Sequence, residues 1–233
     1  MKTSSASTPG NGSITCRSGL LLLLLLPRLS PAAELSAADT AALITRLQDH
    51  RAKFPSLTAD FTEEKKTRLL QKPLVTSGTI AFRAPNLFRR EVKGANSSLT
   101  VCDGRQLWIY YPNFKEAEHY TLGQHSFFDD SLAALTAGLN FQDIAKFYRY
   151  DAFREPAGYR LVLHPKTSGL KRMLRELSVW ITDEFLIAKT EASLPRDDSV
   201  VTTYKNQRSQ EVAGSAFEFK PPTDVRVSTP LGK

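Results

Sequence analysis

The chain has 233 residues, 41% of them hydrophobic and 24% charged, and a formal net charge of +7 from 31 basic and 24 acidic residues. The basic residues are scattered along the chain and form no concentrated stripe, which excludes nucleic acid as a partner. Of its two cysteines, Cys16 and Cys102, only the second survives if the leader is removed, so no intramolecular disulfide is expected and stability must come from a core.

Residues 1–32 read as a signal peptide. Lys2 and Arg17 supply a positive start, Leu20 to Leu26 an unbroken apolar run, and Ser30-Pro31-Ala32 a small-residue cleavage region. The run is too short for a membrane-spanning helix, which needs about 20 apolar residues. Cys16 stands before the run and not after it, so it does not fit a lipoprotein signal. Cleavage is expected near Ala32 or Ala33, giving a soluble periplasmic protein. Loss of Lys2, Arg17 and Arg28 leaves 28 basic residues against 24 acidic ones, a net charge of +4. Residues 33–233 are then one domain of roughly 200 residues.

A helix opens that domain. Ser36 with Asp39 offers an N-cap, and Ala41, Leu43, Ile44 and Leu47 form an apolar stripe that stops near Phe54-Pro55. Arg46, Asp49, Arg51 and Lys53 fall mostly on the other face. Short strands follow from Ser56 to Tyr111, broken at Pro85-Asn86, Gly94-Ala95-Asn96 and Asp103-Gly104. That rhythm predicts an antiparallel meander. From Ser131 the period becomes helical through Leu132, Leu135 and Leu139. A second short helix starts at Asn140, with Phe141, Ile144 and Phe147 along one side. Strands are expected again at Tyr159 to Leu163, Glu176 to Ile181, Leu186 to Leu194, Val200 to Lys205 and Phe217 to Phe219. A sheet of this length must curl to protect its edges. The inserted helices then either cover the mouth of a barrel or fill it, and periodicity does not choose between the two.

Catalytic motifs are missing from the sequence. His50, His119, His125 and His164 make no metal-ligand spacing. His125 and Ser126 near Asp129 lack the elbow of a serine hydrolase, and no phosphate-binding glycine loop occurs. Neither a metal nor a cofactor is expected. Cys102, before a turn, reads as a small half-buried residue. The cationic stretch from His164 to Arg175 reads as a solvated loop, with a docking surface as the alternative because Leu170, Met173 and Leu174 lie between its cations. Phe82, Phe88, Trp108, Tyr110, Phe141 and Phe147 fit either a core or an apolar cargo pocket.

Several segments carry a resemblance. Ala59-Asp60-Phe61-Thr62-Glu63, then Gly78 through Arg90 (GTIAFRAPNLFRR), then Cys102 through Pro112 (CDGRQLWIYYP) stand in the order found in the LolA family of periplasmic lipoprotein carriers. Leu163-His164-Pro165-Lys166, Asp197-Asp198 and Phe217 through Pro222 (FEFKPP) continue it, so the likeness spans nearly the whole mature chain.

The resemblance implies a mainly β fold with helices (α+β): an incomplete antiparallel β-barrel with an N-terminal helix and a short helical lid over an apolar cavity. It implies a cargo site drawn from Ile80, Phe82, Phe88, Trp108, Tyr110, Leu132, Leu135 and Phe141. The partners it implies are acylated lipoprotein or another lipid cargo, an inner-membrane lipoprotein-releasing ABC transporter and an outer-membrane acceptor, served by a monomer. Carriage of a polyene or glycolipid is an alternative, since Leu70 through Gly78 is similar to a LolA-like subgroup associated with such products. A periplasmic lipid-sensing regulatory module is another.

In the family an Arg directly before Pro-Asn latches the lid, whereas this sequence has Ala84 there and Arg83 one residue early. Strand alternation points Arg83 outward and places Ile80, Phe82, Ala84, Phe88, Arg90 and Val92 on the inner face. Arg90 then either lies at a rim with its head in water, or takes over the latch or meets a polar cargo headgroup.

Overall fold

The computed structural model of the chain describes residues 32–123 and 141–230. Leu132 and Leu135, expected in the lid, the helix expected from Ser131, His125 and all of the leader but Ala32 lie outside the described residues.

Helix α1 (Ala37–Lys53) starts where the sequence places it. Ser36 is its N-cap, its hydroxyl accepting from the Asp39 amide at 3.1 Å and donating to the Asp39 carboxylate at 2.7 Å. Leu43, Ile44 and Leu47 are buried as expected. The edges of the stripe differ. Ala41 is exposed, and Arg51 lies on the buried side, 5% exposed. A long stem lets Arg51 do so: one guanidinium nitrogen donates to the Phe54 carbonyl at 3.1 Å, and the head lies 5.7 Å over the Phe82 ring. Burial lowers this guanidinium to about 10.

Two meanders make the sheet. The first runs through β2 (Ser56–Lys66), β3 (Leu74–Arg83), β4 (Leu87–Lys93), β5 (Ser98–Asp103), β6 (Gln106–Tyr111) and β7 (Glu116–Thr121). The second follows the short helix α2 (Ile144–Phe147) through β8 (Tyr148–Glu155), β9 (Gly158–Pro165), β10 (Glu176–Ile181), β11 (Ile187–Ser193) and β12 (Ser199–Arg208). An antiparallel ladder between β12 and β2 joins them, pairing Thr203 with Thr62. The short β1 (Ala33–Glu34) adds to β8, and β13 (Arg226–Ser228) adds to β7 as the parallel pair of the sheet. β1 and β13 are the two free edges of this thirteen-stranded order, so the barrel is incomplete and does not close.

The turns follow local chemistry. At Asp103-Gly104 the Asp103 carboxylate accepts from the amides of Arg105 and Gln106 at 2.8 and 2.7 Å, and Gly104 has φ of +88°. Gly78 is needed for close approach. It pairs with Phe61, and a Cβ there would stand 1.8 Å from the Glu91 carbonyl oxygen and 2.9 Å from the Phe61 ring.

Three segments depart from the sequence expectation. β8 was not expected, because its outward charges Arg149 and Asp151 mask an inward alternation of buried Tyr148 and Ala152. The cationic stretch contains helix α3 (Ser168–Met173), capped by the Thr167 hydroxyl. Leu170 and Leu174 go to the core and not to a docking face, leaving Lys171 and Arg172 in solvent. Phe217 to Phe219 is not a strand: the chain makes a 3-10 turn at Gly214–Phe217. There Phe217, 1% exposed, is buried against the outer face.

The main core lies on the concave face of the sheet. Leu43 and Leu47 of α1, with Phe141 and Ile144 from α2 and the residue that precedes it closely, join Phe82, Phe88, Leu161 and Ile181 in one buried cluster. Gln48 ties the two helical segments by donating to the Phe141 carbonyl at 3.0 Å. These described helices therefore occupy the concave face themselves.

Candidate functional site

Alternation on β2, β3 and β4 builds one surface. Across these strands Phe82 pairs with Phe88, Ile80 with Arg90 and Phe61 with Gly78, so all of these positions face the concave side. Opposite them stand Leu177 of β10, Ala192 of β11 and Val200 of β12. Between the two walls lies a cavity of about 130 Å³.

One end of the cavity is polar. The Arg90 guanidinium donates to the Glu63 carboxylate at 2.8 Å, with the two side chains 19% and 25% exposed. Its head also lies 4.3 Å over the Phe61 ring, a contact that strengthens as water is excluded. The same Glu63 oxygen accepts from the Thr202 hydroxyl at 3.4 Å. Burial pushes the neighbouring Tyr204 hydroxyl above the usual tyrosine range. The site is thus an apolar floor with one neutralised charge pair on its wall. Among the described residues no group of three or more His, Cys, Asp or Glu side chains could hold a metal ion.

The predicted site residues separate into groups. Ile80, Phe82, Phe88 and Phe141 lie in the concave cluster, and Ile80 and Phe88 line the cavity directly. Trp108 and Tyr110 do not belong with them. They alternate with the core residue Leu107 and project to the convex face, where Trp108 stacks on His119 at 4.2 Å and both rings pack on Phe219 at 5.7 and 5.4 Å. Phe219 comes from the C-terminal segment, so these rings serve packing there.

The two candidate latch arginines also part. Arg83 faces outward as alternation predicts, and donates to the Val212 carbonyl at 3.1 Å over the Phe217 ring. It fastens the C-terminal segment, as Arg89 does through the Ala216 carbonyl at 3.3 Å. Arg90 faces inward, but its described partner is the Glu63 carboxylate and not a lid carbonyl. Glu63 was missed in the sequence, although the inward series Leu57, Ala59, Phe61, Glu63 puts an acid opposite the one inward cation. Cys102 is fully buried in the core cluster, and burial pushes its thiol up to about 11, which makes it inert as a nucleophile.

Comparison with known proteins agrees with this architecture. An outer-membrane lipoprotein carrier protein from Hahella chejuensis is 26% identical over 211 residues, spanning 89% of this chain and 97% of its own. One from Pseudomonas aeruginosa is 29% identical over 155 residues, 64% of this chain and 70% of its own. The crystal structure of an uncharacterized conserved protein from Thermus thermophilus shares the fold with a TM-score of 0.50 at 12% identity, covering 82% of this chain and 99% of that one. The family described as outer membrane lipoprotein carrier protein LolA matches residues 52–220. With most of its length matched, and with the open sheet and occupied concave face already in view, the chain belongs to the LolA family.

Proposed function

We propose that this protein is a periplasmic carrier that shields the acyl chains of lipoproteins and shuttles them from an inner-membrane ABC transporter to an outer-membrane acceptor. The observation that carries the reading is the concave cavity, apolar on its floor and closed on one wall by the Arg90–Glu63 pair. Ile80, Phe82, Phe88 and Phe141, together with Leu132 and Leu135 of the expected lid, are the residues proposed to meet cargo.

Physical chemistry restricts how such a carrier works. Burying a methylene contributes about 0.8 kcal/mol, so a fully sequestered sixteen-carbon chain would gain roughly 12 kcal/mol. A shuttle holding cargo that tightly would not release it. At about 130 Å³ the cavity is also smaller than the roughly 300 Å³ at which ligand pockets begin. Entry of an acyl chain therefore requires the concave side to open. Opening parts apolar contacts and disturbs the Arg90–Glu63 pair, and both costs offset the gain from burial. Transfer direction then follows from the relative affinities of donor, carrier and acceptor, with no chemistry performed by this chain.

The test is the mass of what co-purifies from the periplasm, with displacement of an apolar dye by long-chain acyl compounds. Acylated peptides in the extract and full displacement are the expected results. A co-purifying polyene or glycolipid would move the cargo to the alternative class, and a protein that binds no dye would overturn the carrier reading.

A further inference from the structure

The hairpin between β2 and β3 projects beyond β4 on one side, while β12 accompanies β2 as far as Lys66 on the other. β4 ends at Lys93, opposite Ser77, so Leu74, Val75 and Thr76 of β3 run past their neighbour. Those three residues carry the hairpin about 10 Å further at the usual rise per residue, and residues 67–73 form its tip. The tip is a built turn. The Leu70 amide donates to the Thr67 carbonyl at 3.2 Å, the Leu69 amide to the Thr67 hydroxyl at 3.2 Å, and the Arg68 amide to the Asp198 carboxylate at 3.1 Å.

What this turn presents is apolar. Leu69 is 93% exposed, Leu70 50%, Leu74 40% and Val75 60%. Leu74 and Val75 are consecutive in a strand and point to opposite faces, so neither face of the hairpin end is covered. Four large apolar residues on one protruding tip form a patch of the kind that marks an interaction site, unlike singly scattered exposed leucines.

The charge around the patch says what it meets. Lys65, Lys66, Arg68 and Lys72 are exposed beside it, and Lys93 and Arg196 flank it on the adjoining strand end and turn. Nearby acids are engaged: Glu64 with Lys66, Asp197 with Arg175, and Asp198 with the Arg68 amide. Lys65, Arg68 and Lys72 have no ion-pair partner among the described residues. A leucine tip collared by cations matches the acyl boundary and phosphate layer of an anionic bilayer. An acidic protein groove would explain the collar but not apolar exposure on both faces of the tip.

We propose that the β2–β3 hairpin docks this protein on anionic phospholipid membranes, with Leu69 and Leu70 entering the acyl boundary and the lysines and Arg68 meeting phosphates. The concave cavity lies near the same strand ends, since Glu63 and Val200 stand within a few residues of where β2 ends and β12 begins. Docking would therefore bring the cavity toward the bilayer. The proposal goes beyond the carrier reading and stands without it.

The experiment is co-sedimentation of the full mature chain with phosphatidylglycerol-containing vesicles and with neutral phosphatidylcholine vesicles. Gln71→Cys carrying a polarity-sensitive fluorophore reports the tip, because the buried Cys102 is left unlabelled. Binding to anionic vesicles with a blue shift of the label is expected, weakening more than about tenfold on neutral vesicles or in high salt. Leu69→Asp with Leu70→Asp should reduce binding by at least about tenfold, as should Arg68→Glu with Lys72→Glu. All four positions are exposed, so an unchanged unfolding midpoint serves as the fold control. Absence of vesicle binding, an unshifted label, or binding that survives loss of both leucines would overturn the proposal. Dye displacement reads the cavity separately, so failure of either idea is distinguishable from failure of the other.

Discussion

Arg89 and Arg90 are neighbours in β4, yet they serve opposite sides of the sheet. On the convex side Arg89 and Arg83 donate to backbone carbonyls of the C-terminal segment, partners fixed by the chain; Arg83 lies over the Phe217 ring, and Arg89 also reaches the Glu91 carboxylate at 3.5 Å in a half-exposed pair. On the concave side Arg90 meets a side-chain carboxylate beside a cavity. A carbonyl cannot lose its dipole or move far, so the convex contacts act as fasteners. A carboxylate on a flexible stem can separate from its cation, so the concave pair can respond to what enters. The same residue type becomes structural or responsive according to the face that alternation gives it.

That contrast can be broken most severely at Gly78. Gly78→Val would force β3 away from the Glu91 carbonyl and the Phe61 ring, and should cost on the order of 4 kcal/mol. Chemical denaturation would measure it, and both faces should fail together.

Next is Phe217→Ala. Emptying that buried site should cost about 3 kcal/mol, read as a lower unfolding midpoint. Dye affinity per folded molecule should stay unchanged, since the proposed cargo site lies on the concave side.

The concave side is sharpened by Glu63→Gln combined with Arg90→Leu. Removing both charges avoids stranding one of them, so stability should shift by only about 1 kcal/mol. Acyl cargo should be retained about tenfold longer, because opening no longer disturbs an ion pair. Arg83→Leu should cost about 1 kcal/mol through the freed Val212 carbonyl and leave cargo retention unchanged. Equal retention in both variants would erase the proposed difference between the faces.

The smallest effect concerns Cys102. With its thiol pushed up to about 11 from an ordinary 9.0, alkylation at pH 8 should run on the order of 100-fold slower in the folded protein than in the unfolded one. The unfolded thiol gives up its proton at lower pH than the folded one. Stability from this group is therefore full below pH 9 and declines as pH rises from there toward 11.

Much of this contrast was legible in the sequence. Pro85-Asn86 and Asp103-Gly104 marked the turns, and alternation across them sent Arg83 and Arg90 to opposite faces. The assignment of Trp108 and Tyr110 to the cavity failed for a physical reason. Alternation says which residues share a face, but not which face is enclosed, and both sides of β6 are covered. The convex cover comes from Phe219, more than a hundred residues away, and no local pattern announces it. Ser168–Met173 was lost to its charges: the two leucines that bury it fall four apart amid cations. Glu63 could have been found by extending the Phe61 alternation one step. Its pairing with Arg90 on the same wall depended on the register of β2 against β3 and of β3 against β4, which only the folded sheet supplies.

The ladder between β12 and β2 has a consequence for how the chain assembles. It pairs residues 58–66 with residues 199–208, whereas the ladders within each meander join near neighbours. A chain emerging from its N-terminus can complete the first meander long before β12 exists, and closing so long a loop is slow. Until then β2 is an unpaired strand edge, open to pairing with another copy. Its sequence answers that hazard, for Glu63, Glu64, Lys65 and Lys66 crowd charge onto its final residues and oppose association in the interval before the late strand arrives.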